Sequence, residues 1–351
     1  NNTAYATGID TGTPDGSNII FEKSTDNGKT WSAPAVAVAP LTPGGLTDKD
    51  WLQIDTRSHG PFANSLYISV TQFNANATSD QISVSHSRDG GATWTTVAVD
   101  KPQSLSSSVD QFSDLAIAKD GGVYVSWLRC PPTGPTGDCG GTTAKVLVSR
   151  STDGGNTWSA PVVMARVNLA PDTCSAYYGC LPNTGERVSN IPAIDTGSFG
   201  GVNHERVYAT FYNWTGSYMQ VLVTTSTDHG VTWSTPVAVA PISATNDQFF
   251  PWLTVSVSGQ VGVSWLDRRN DPGNVSYEAF AAVSSDGGAT FGTNIQVSPV
   301  LSNPFNDGFN GGFMGDYTGN TWNYNHRLYV SWMNTSNGVD AQDEVGGIQL
   351  F

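Results

Sequence analysis

Two pairs of neighbouring residues and two separated aspartates are where this chain could do chemistry. Glu186-Arg187, and Arg268-Arg269 within the run WLDRRND, place guanidinium groups close to carboxylates. A guanidinium offers a planar, bidentate fork to a carboxylate, so a convergent set would hold an acidic ligand. The plainer reading closes Arg268 and Arg269 onto Asp267 and Asp271 of their own loop. Asp50 and Asp114 could serve a glycosidase as acid and base, or could be solvated, strand-capping aspartates. A binding surface could draw on Trp51, Trp252, Phe313, Asp267 and Asp316. The histidines His59, His86, His204, His229 and His326 are scattered without metal-ligand spacing, so no metal site is expected among them.

The elements that must position these residues are announced by a repeat. STDNGKTW (Ser24–Trp31), SRDGGATW (Ser87–Trp94), STDGGNTW (Ser151–Trp158), STDHGVTW (Ser226–Trp233) and SSDGGATF (Ser284–Phe291) share the pattern S-x-D-x-G-x-T-[WF]. Self-similarity of this kind decides architecture before any local reading does. The aspartates Asp26, Asp89, Asp153, Asp228 and Asp286 can each accept N–H groups of their own turn. The Gly can take the left-handed conformation of a tight hairpin, and the aromatic ring is expected to be buried in an equivalent place each time. The boxes are therefore read as structural.

Spacing between the box aspartates is roughly 60–75 residues, the length of a four-stranded antiparallel blade with loops. Apolar runs of strand length recur with the boxes: Tyr5–Ile9, Leu66–Val70, Val123–Trp127, Val207–Phe211, Val261–Trp265 and Leu328–Trp332. Six copies of this second strand predict an all-β, six-bladed β-propeller in a single domain spanning 1–351. Inner strands are expected near Trp51–Asp55, Ser113–Ala118, Asn190–Asp195, Pro251–Val257 and Phe313–Tyr317. Short outer strands are expected after each box. The first blade then lacks an inner strand and the last an outer one, so both are incomplete. Bare strand edges recruit other chains, which makes self-association through these two blades an expectation.

The repeat resembles the Asp box, or BNR repeat, of the sialidase-like β-propellers. That resemblance implies a candidate face opposite the boxes, at the axis, made by the connections into the inner strands and by the loops after the second strands. Sialic-acid-cleaving members use three arginines around the carboxylate, a Tyr nucleophile activated by a Glu, and an acidic Asp, with the first arginine in an F/Y-R-I-P motif. No R-I-P occurs in this chain. The nearest pieces are Glu186-Arg187, Arg268-Arg269 and Tyr317 in GDYTG. The resemblance thus supports a non-catalytic glycan-binding or structural module, with an exo-acting glycoside hydrolase on terminal sugars as the alternative and a protein scaffold as the third class.

Composition sets the compartment and excludes partners. The chain has 351 residues, 16 basic against 30 acidic, for a net charge of −14. Such a surface repels phosphate backbones and anionic headgroups, so nucleic acid is a poor partner and glycans or extracellular matrix a better one. No apolar run is long enough to span a membrane. The chain begins with Asn and carries no signal-like segment, as a mature or excised form would. Cys130–Cys139 and Cys174–Cys180 are the simplest disulfide pairing and point to a secreted, extracellular protein. Sequons at Asn76, Asn213, Asn274 and Asn334 are placed in the loops after the second strands and are glycosylation candidates. No cofactor is expected. DTGTPD at Asp10–Asp15 could ligate Ca²⁺ through oxygens, against a plain Gly/Pro turn.

Overall fold

A computed structural model describes residues 3–133, 138–171, 179–198, 205–240, 245–306, 312–336 and 343–350. Alternating apolar and hydroxyl residues bounded by Gly, Asn and Pro favour strands, and the described residues form antiparallel sheets with one short 3₁₀ turn at Pro304–Asn306. Six principal sheets follow one another along the chain.

The first sheet contains Ala4–Thr13, Gly16–Ser24 and Ala35–Val38. The second runs Leu46–Ile54, Leu66–Phe73, Ser79–Ser87 and Thr95–Ala98, with Gln103–Ser104 as an added fifth strand. The third contains Val109–Ile117, Val123–Cys130, Thr143–Ser151 and Val162–Asn168. In the fourth the strands are Ala193–Ser198, Glu205–Trp214, Met219–Ser226 and Val237–Ala238. Gln248–Val255, Val261–Asp267, Glu278–Ser284 and Ile295–Gln296 form the fifth. The sixth has three strands, Gly319–Trp322, Arg327–Asn334 and Asp343–Leu350. Among the described residues the first and sixth sheets thus have three strands each.

The chain divides into two compact units. One is Asn1–Gly137 with Val148–Pro161, and the other is Asp138–Leu147 with Val162–Phe351. In the first, Ile19, Phe21, Leu66, Ile68 and Val70 pack into one apolar cluster. In the second, the fully buried Tyr208 and Trp265 centre one cluster, while Phe249, Tyr277 and Trp332 belong to another.

The five boxes fold alike. Ser151 Oγ donates to Asp153 Oδ1 at 2.8 Å and accepts Gly155 N at 2.8 Å, while Thr157 sends its N–H and its hydroxyl to the two Asp153 oxygens at 2.9 and 2.6 Å. The same four bonds recur around Asp26, Asp89, Asp228 and Asp286. Hydrogen bonds to the charged form hold the Asp26 and Asp228 carboxyls at about 2 and push Asp89 lower still.

Three expectations are corrected. The box aromatics are not buried: Trp94, Trp158, Trp233 and Phe291 are half-buried, and Trp31 is 43% exposed. Each turn lies at a sheet end, so its ring can cover only one face. Trp94 meets Phe21 of the preceding sheet edge-on at 5.1 Å, and Gly91 sits so close to Phe21 that a Cβ would fall 2.1 Å from its ring. Gly28, the equivalent residue in the first box, has open space around it. Secondly, the sixth inner strand is Gly319–Trp322, not 313–317, because Gly315 turns the chain at φ 97°. Thirdly, Asn213 and Asn334 lie within strands Glu205–Trp214 and Arg327–Asn334 rather than in loops.

Candidate functional site

The inner strands carry a feature that neither composition nor periodicity announced. In the second, third and fifth sheets each inner strand has one extra residue opposite its partner, between Asp48 and Trp51, between Gln111 and Asp114, and between Phe249 and Trp252. At each bulge a large non-glycine residue takes the left-handed region: Lys49 at φ 53°, Phe112 at 63° and Phe250 at 46°. Glycine is the usual occupant of such a position, and a bulky residue there costs about 1–3 kcal/mol. Bulges re-aim the side chains around them.

In the first unit two of these bulges are tied together. Lys49 is 3% exposed; its ammonium donates to Ser113 O at 2.8 Å and lies 4.8 Å from the centre of the Trp51 ring. Gln111 Nε2 donates to Asp48 Oδ2 at 3.1 Å, and Ser113 and Ser69 hydroxyls meet at 3.0 Å. Burial pulls the Lys49 ammonium below the usual range, opposed by the charges of Asp114, Asp50 and Asp48. Asp114 is buried, with Oδ1 accepting Leu115 N at 2.8 Å; Asp48, Asp50 and Trp51 are half-exposed. A partly exposed indole thus lies against a buried cation, with the partly exposed Asp48 and Asp50 on the same strand.

Beside it Asp80 is fully buried, with Oδ2 accepting Asp110 N at 2.7 Å. Burial and the Asp110 charge push its carboxyl up to about 8. Arg129 then chelates Asp110 at 2.6 and 2.5 Å and reaches Asp100 at 2.7 Å.

In the second unit all three candidate arginines are engaged by carboxylates. Arg187 holds Asp316 in a bidentate pair, at 2.9 Å for Nε to Oδ1, and its guanidinium lies 4.4 Å from the Phe313 ring centre. Arg269 donates to Asp267 Oδ2 at 2.5 Å and stacks over Phe280 at 4.3 Å. Arg268 is fully buried; Nη1 reaches Pro182 O at 2.8 Å and Asp247 Oδ2 at 3.4 Å. Its partner is Asp247 rather than Asp271, which instead caps its own turn by accepting Gly273, Val275 and Ser276 N–H groups. Burial lowers the Arg268 guanidinium to about 10, against the charges of Asp247, Asp271 and Glu186.

Glu186 is fully buried and its charge acts on Arg268 and on Tyr277. Tyr277 is buried too, donates to Met333 O at 3.1 Å, and is pushed up to about 12 by burial. Tyr317 is 44% exposed and Phe313 half-buried, whereas Trp252 is only 6% exposed and Asp267 is buried between the Trp265 indole N–H and Arg269. The structure therefore assembles Asp48, Asp50, Trp51 and Asp114 around Lys49 in one unit. Glu186, Asp247, Arg268 and Tyr277 form a buried cluster in the other. Lys49, Asp80, Asp247 and Tyr277 were not singled out by sequence; the one available signal was a lysine between two acids, DKDW, just ahead of the expected inner strand Trp51–Asp55.

Among the described residues no group of three or more His, Cys, Asp or Glu side chains could hold a metal ion. Asp10 Oδ1 accepts Gly12 N at 2.9 Å within its hairpin turn. Cys130, Cys139 and Cys180 are disulfide-bonded, and Cys174 lies outside the described residues. No helix among the described residues is long and apolar enough to cross a membrane.

Comparison with known proteins agrees with this architecture. The BNR/Asp-box repeat family model matches residues 22–33. The α-L-arabinofuranosidase Arb93A of Fusarium graminearum is 13% identical, with a TM-score of 0.55 over 99% of this chain and 89% of that one. An α-L-arabinanase of Penicillium chrysogenum, complexed with arabinobiose, gives the same 13%, 0.55, 99% and 89%. A PL25 ulvan lyase is 10% identical, with a TM-score of 0.52 over 99% of this chain and 82% of that one. No curated protein sequence matches the chain. The repeat match and these likenesses agree on an all-β fold of several four-stranded antiparallel sheets with Asp boxes, similar at low identity to the propeller fold of these glycoside hydrolases and of the lyase.

Proposed function

We propose that the protein is an extracellular glycan-binding propeller that lacks sialidase chemistry. The observation that carries this reading is the closure of Arg187 on Asp316, Arg268 on Asp247 and Arg269 on Asp267. A guanidinium already forked onto a protein carboxylate must lose that bond before it can clamp a ligand carboxylate, and a buried pair resists this strongly. Tyr277 beside Glu186 serves as a hydrogen-bond donor within the core, not as a nucleophile. The ligand surface is the Trp51 indole with Asp48 and Asp50, an aromatic face for sugar C–H groups edged by acceptors for sugar hydroxyls. The disulfides, and the arabinobiose bound by the Penicillium chrysogenum arabinanase of similar fold, support the setting.

A glycan array tests it. The protein should bind a defined subset of glycans, and Trp51→Ala should lose that binding at a temperature where circular dichroism shows the variant still folded. No glycan bound, or binding indifferent to Trp51→Ala, overturns the assignment. Self-association through the three-stranded first and sixth sheets belongs to the same proposal; a strictly monomeric species in native mass spectrometry removes it.

An exo-acting hydrolase is the second reading, with the half-exposed Asp50 as the acid that a substrate could reach. Turnover of a fluorogenic arabinofuranoside or hexoside that is lost in Asp50→Asn would establish it.

A further inference from the structure

The connection from the second sheet to the third, residues 99–108, is held mainly by polar contacts. Val99 N donates to Ile82 O at 2.9 Å, and Gln81 Nε2 to Asp100 O at 3.0 Å. Arg129 grips the Asp100 carboxylate at 2.7 Å. Further along, Gln103–Ser104 pairs with Asp80 and Ser79, and Leu105 N donates to Thr78 O at 3.0 Å. Lys101, Pro102, Ser104, Ser106 and Ser107 are exposed, so little apolar packing holds the segment down. Segments of this kind open at a lower free energy than the core. The connection leads into Asp110 and Gln111, and Gln111 donates to Asp48 on the strand that carries Trp51.

A buried acid adjoins this segment. Asp80 is wholly buried, and its cross-strand neighbours Phe73 and Gln103 carry no charge. Its Oδ2 accepts Asp110 N at 2.7 Å, while Oδ1 has no hydrogen-bond partner among the described residues. The charges that act on it are those of Asp110 on the inner strand and Arg129 on the second strand. Arg129 is already committed, forking onto Asp110 at 2.6 and 2.5 Å and reaching Asp100 as well. Asp80, Asp100 and Asp110 thus have one guanidinium among them. An ionised Asp80 would put a second negative charge into the interior next to Asp110 with nothing donating to Oδ1, and desolvation makes that arrangement costly. Burial and the Asp110 charge accordingly push the Asp80 carboxyl up to about 8.

We propose that residues 99–108 form a strap latched by the neutral Asp80 carboxyl, closed in acid and progressively released towards alkaline pH. When the strap lifts, Asp80 meets water and ionises, and Asp100 leaves Arg129, which stays on Asp110. The closed strap keeps a proton that the open one gives up. Opening therefore grows about tenfold per pH unit between 3.8 and about 8 and levels off above that. The device does not depend on whether a glycan binds at Trp51.

Hydrogen exchange of the full chain, read by mass spectrometry at about pH 5, 8 and 9 and corrected for the pH dependence of chemical exchange, tests this. Peptides covering 99–108 should lose at least about tenfold in protection from pH 5 to 8 and little more from 8 to 9, while the strand Leu66–Phe73 keeps its protection. Asp80→Asn, which stays neutral, should keep the strap protected throughout. Strap protection that does not change with pH in the wild type overturns the proposal. So does a loss shared equally by Leu66–Phe73, which reports unfolding of the whole unit. A loss that persists in Asp80→Asn assigns the proton to another group and overturns it too. If Asp80→Asn does not fold, the wild-type comparison of the two segments decides.

Discussion

The Lys49 ammonium donates to the backbone carbonyl of Ser113 at 2.8 Å, joining the bulge of one inner strand to the bulge of the next. Both residues are buried, and the carboxylates of Asp48, Asp50 and Asp114 act on the same cation. The candidate surface at Trp51 is built on this link.

Lys49→Met should therefore lower stability by about 3–5 kcal/mol, as expected when one partner of a buried ionic cluster is removed. Equilibrium denaturation in urea reads it. A change below about 1 kcal/mol would mean that the ammonium does not hold the two strands.

The boxes should behave as folding devices. Ser151→Ala leaves the buried Gly155 N–H without its acceptor and should cost about 1–2 kcal/mol. Asp26 and Asp228 titrate near 2 when folded, against 3.8 for a free side chain. Their contribution is complete above pH 4 and lost as pH falls from 4 towards 2. Asp228→Ala should flatten that acid limb of the melting curve and leave glycan binding intact; loss of binding at an unchanged melting temperature would refute the structural role.

Asp80 works in the opposite sense. Its folded carboxyl titrates at about 8, above the free value of 3.8, so the folded state binds the extra proton between these limits. Stability falls as pH rises through that window and levels off above it. Asp80→Asn should melt higher than the wild type at pH 9 and show a shallower decline from pH 5. Identical pH profiles would contradict the burial of a protonated acid.

Glycan attachment should be selective. Asn76 is exposed in a turn, whereas Asn213 accepts Asn168 N at 2.9 Å, Asn274 donates to Asp247 at 2.7 Å, and Asn334 accepts Ser336 N at 2.8 Å. Expressed in a glycosylating secretory host, the protein should carry its modification at Asn76, and Asn76→Gln should remove the mass increment. Occupancy at Asn274 would show that its loop opens during folding.

What the sequence made legible follows from the range of each interaction. The box is readable because Ser, Asp, Gly and Thr bond to one another within eight residues, and the second strands because LYISV and VYVSW alternate within themselves. The burial of the box rings depends on a different sheet, as Trp94 on Phe21 shows, and local pattern is silent about it. Arg268 finds Asp247 rather than the nearer Asp271 because the backbone N–H groups of Gly273, Val275 and Ser276 already engage the latter. Left-handed Lys49, Phe112 and Phe250 contradict local preference outright, so only the packed structure reveals them.

The most direct test of the central claim is incubation of the purified protein with a panel of fluorogenic sialosides. With Arg187, Arg268 and Arg269 closed onto Asp316, Asp247 and Asp267, the account predicts no release above the buffer rate. Robust release of sialic acid that Arg187→Ala or Arg268→Ala abolishes would contradict it.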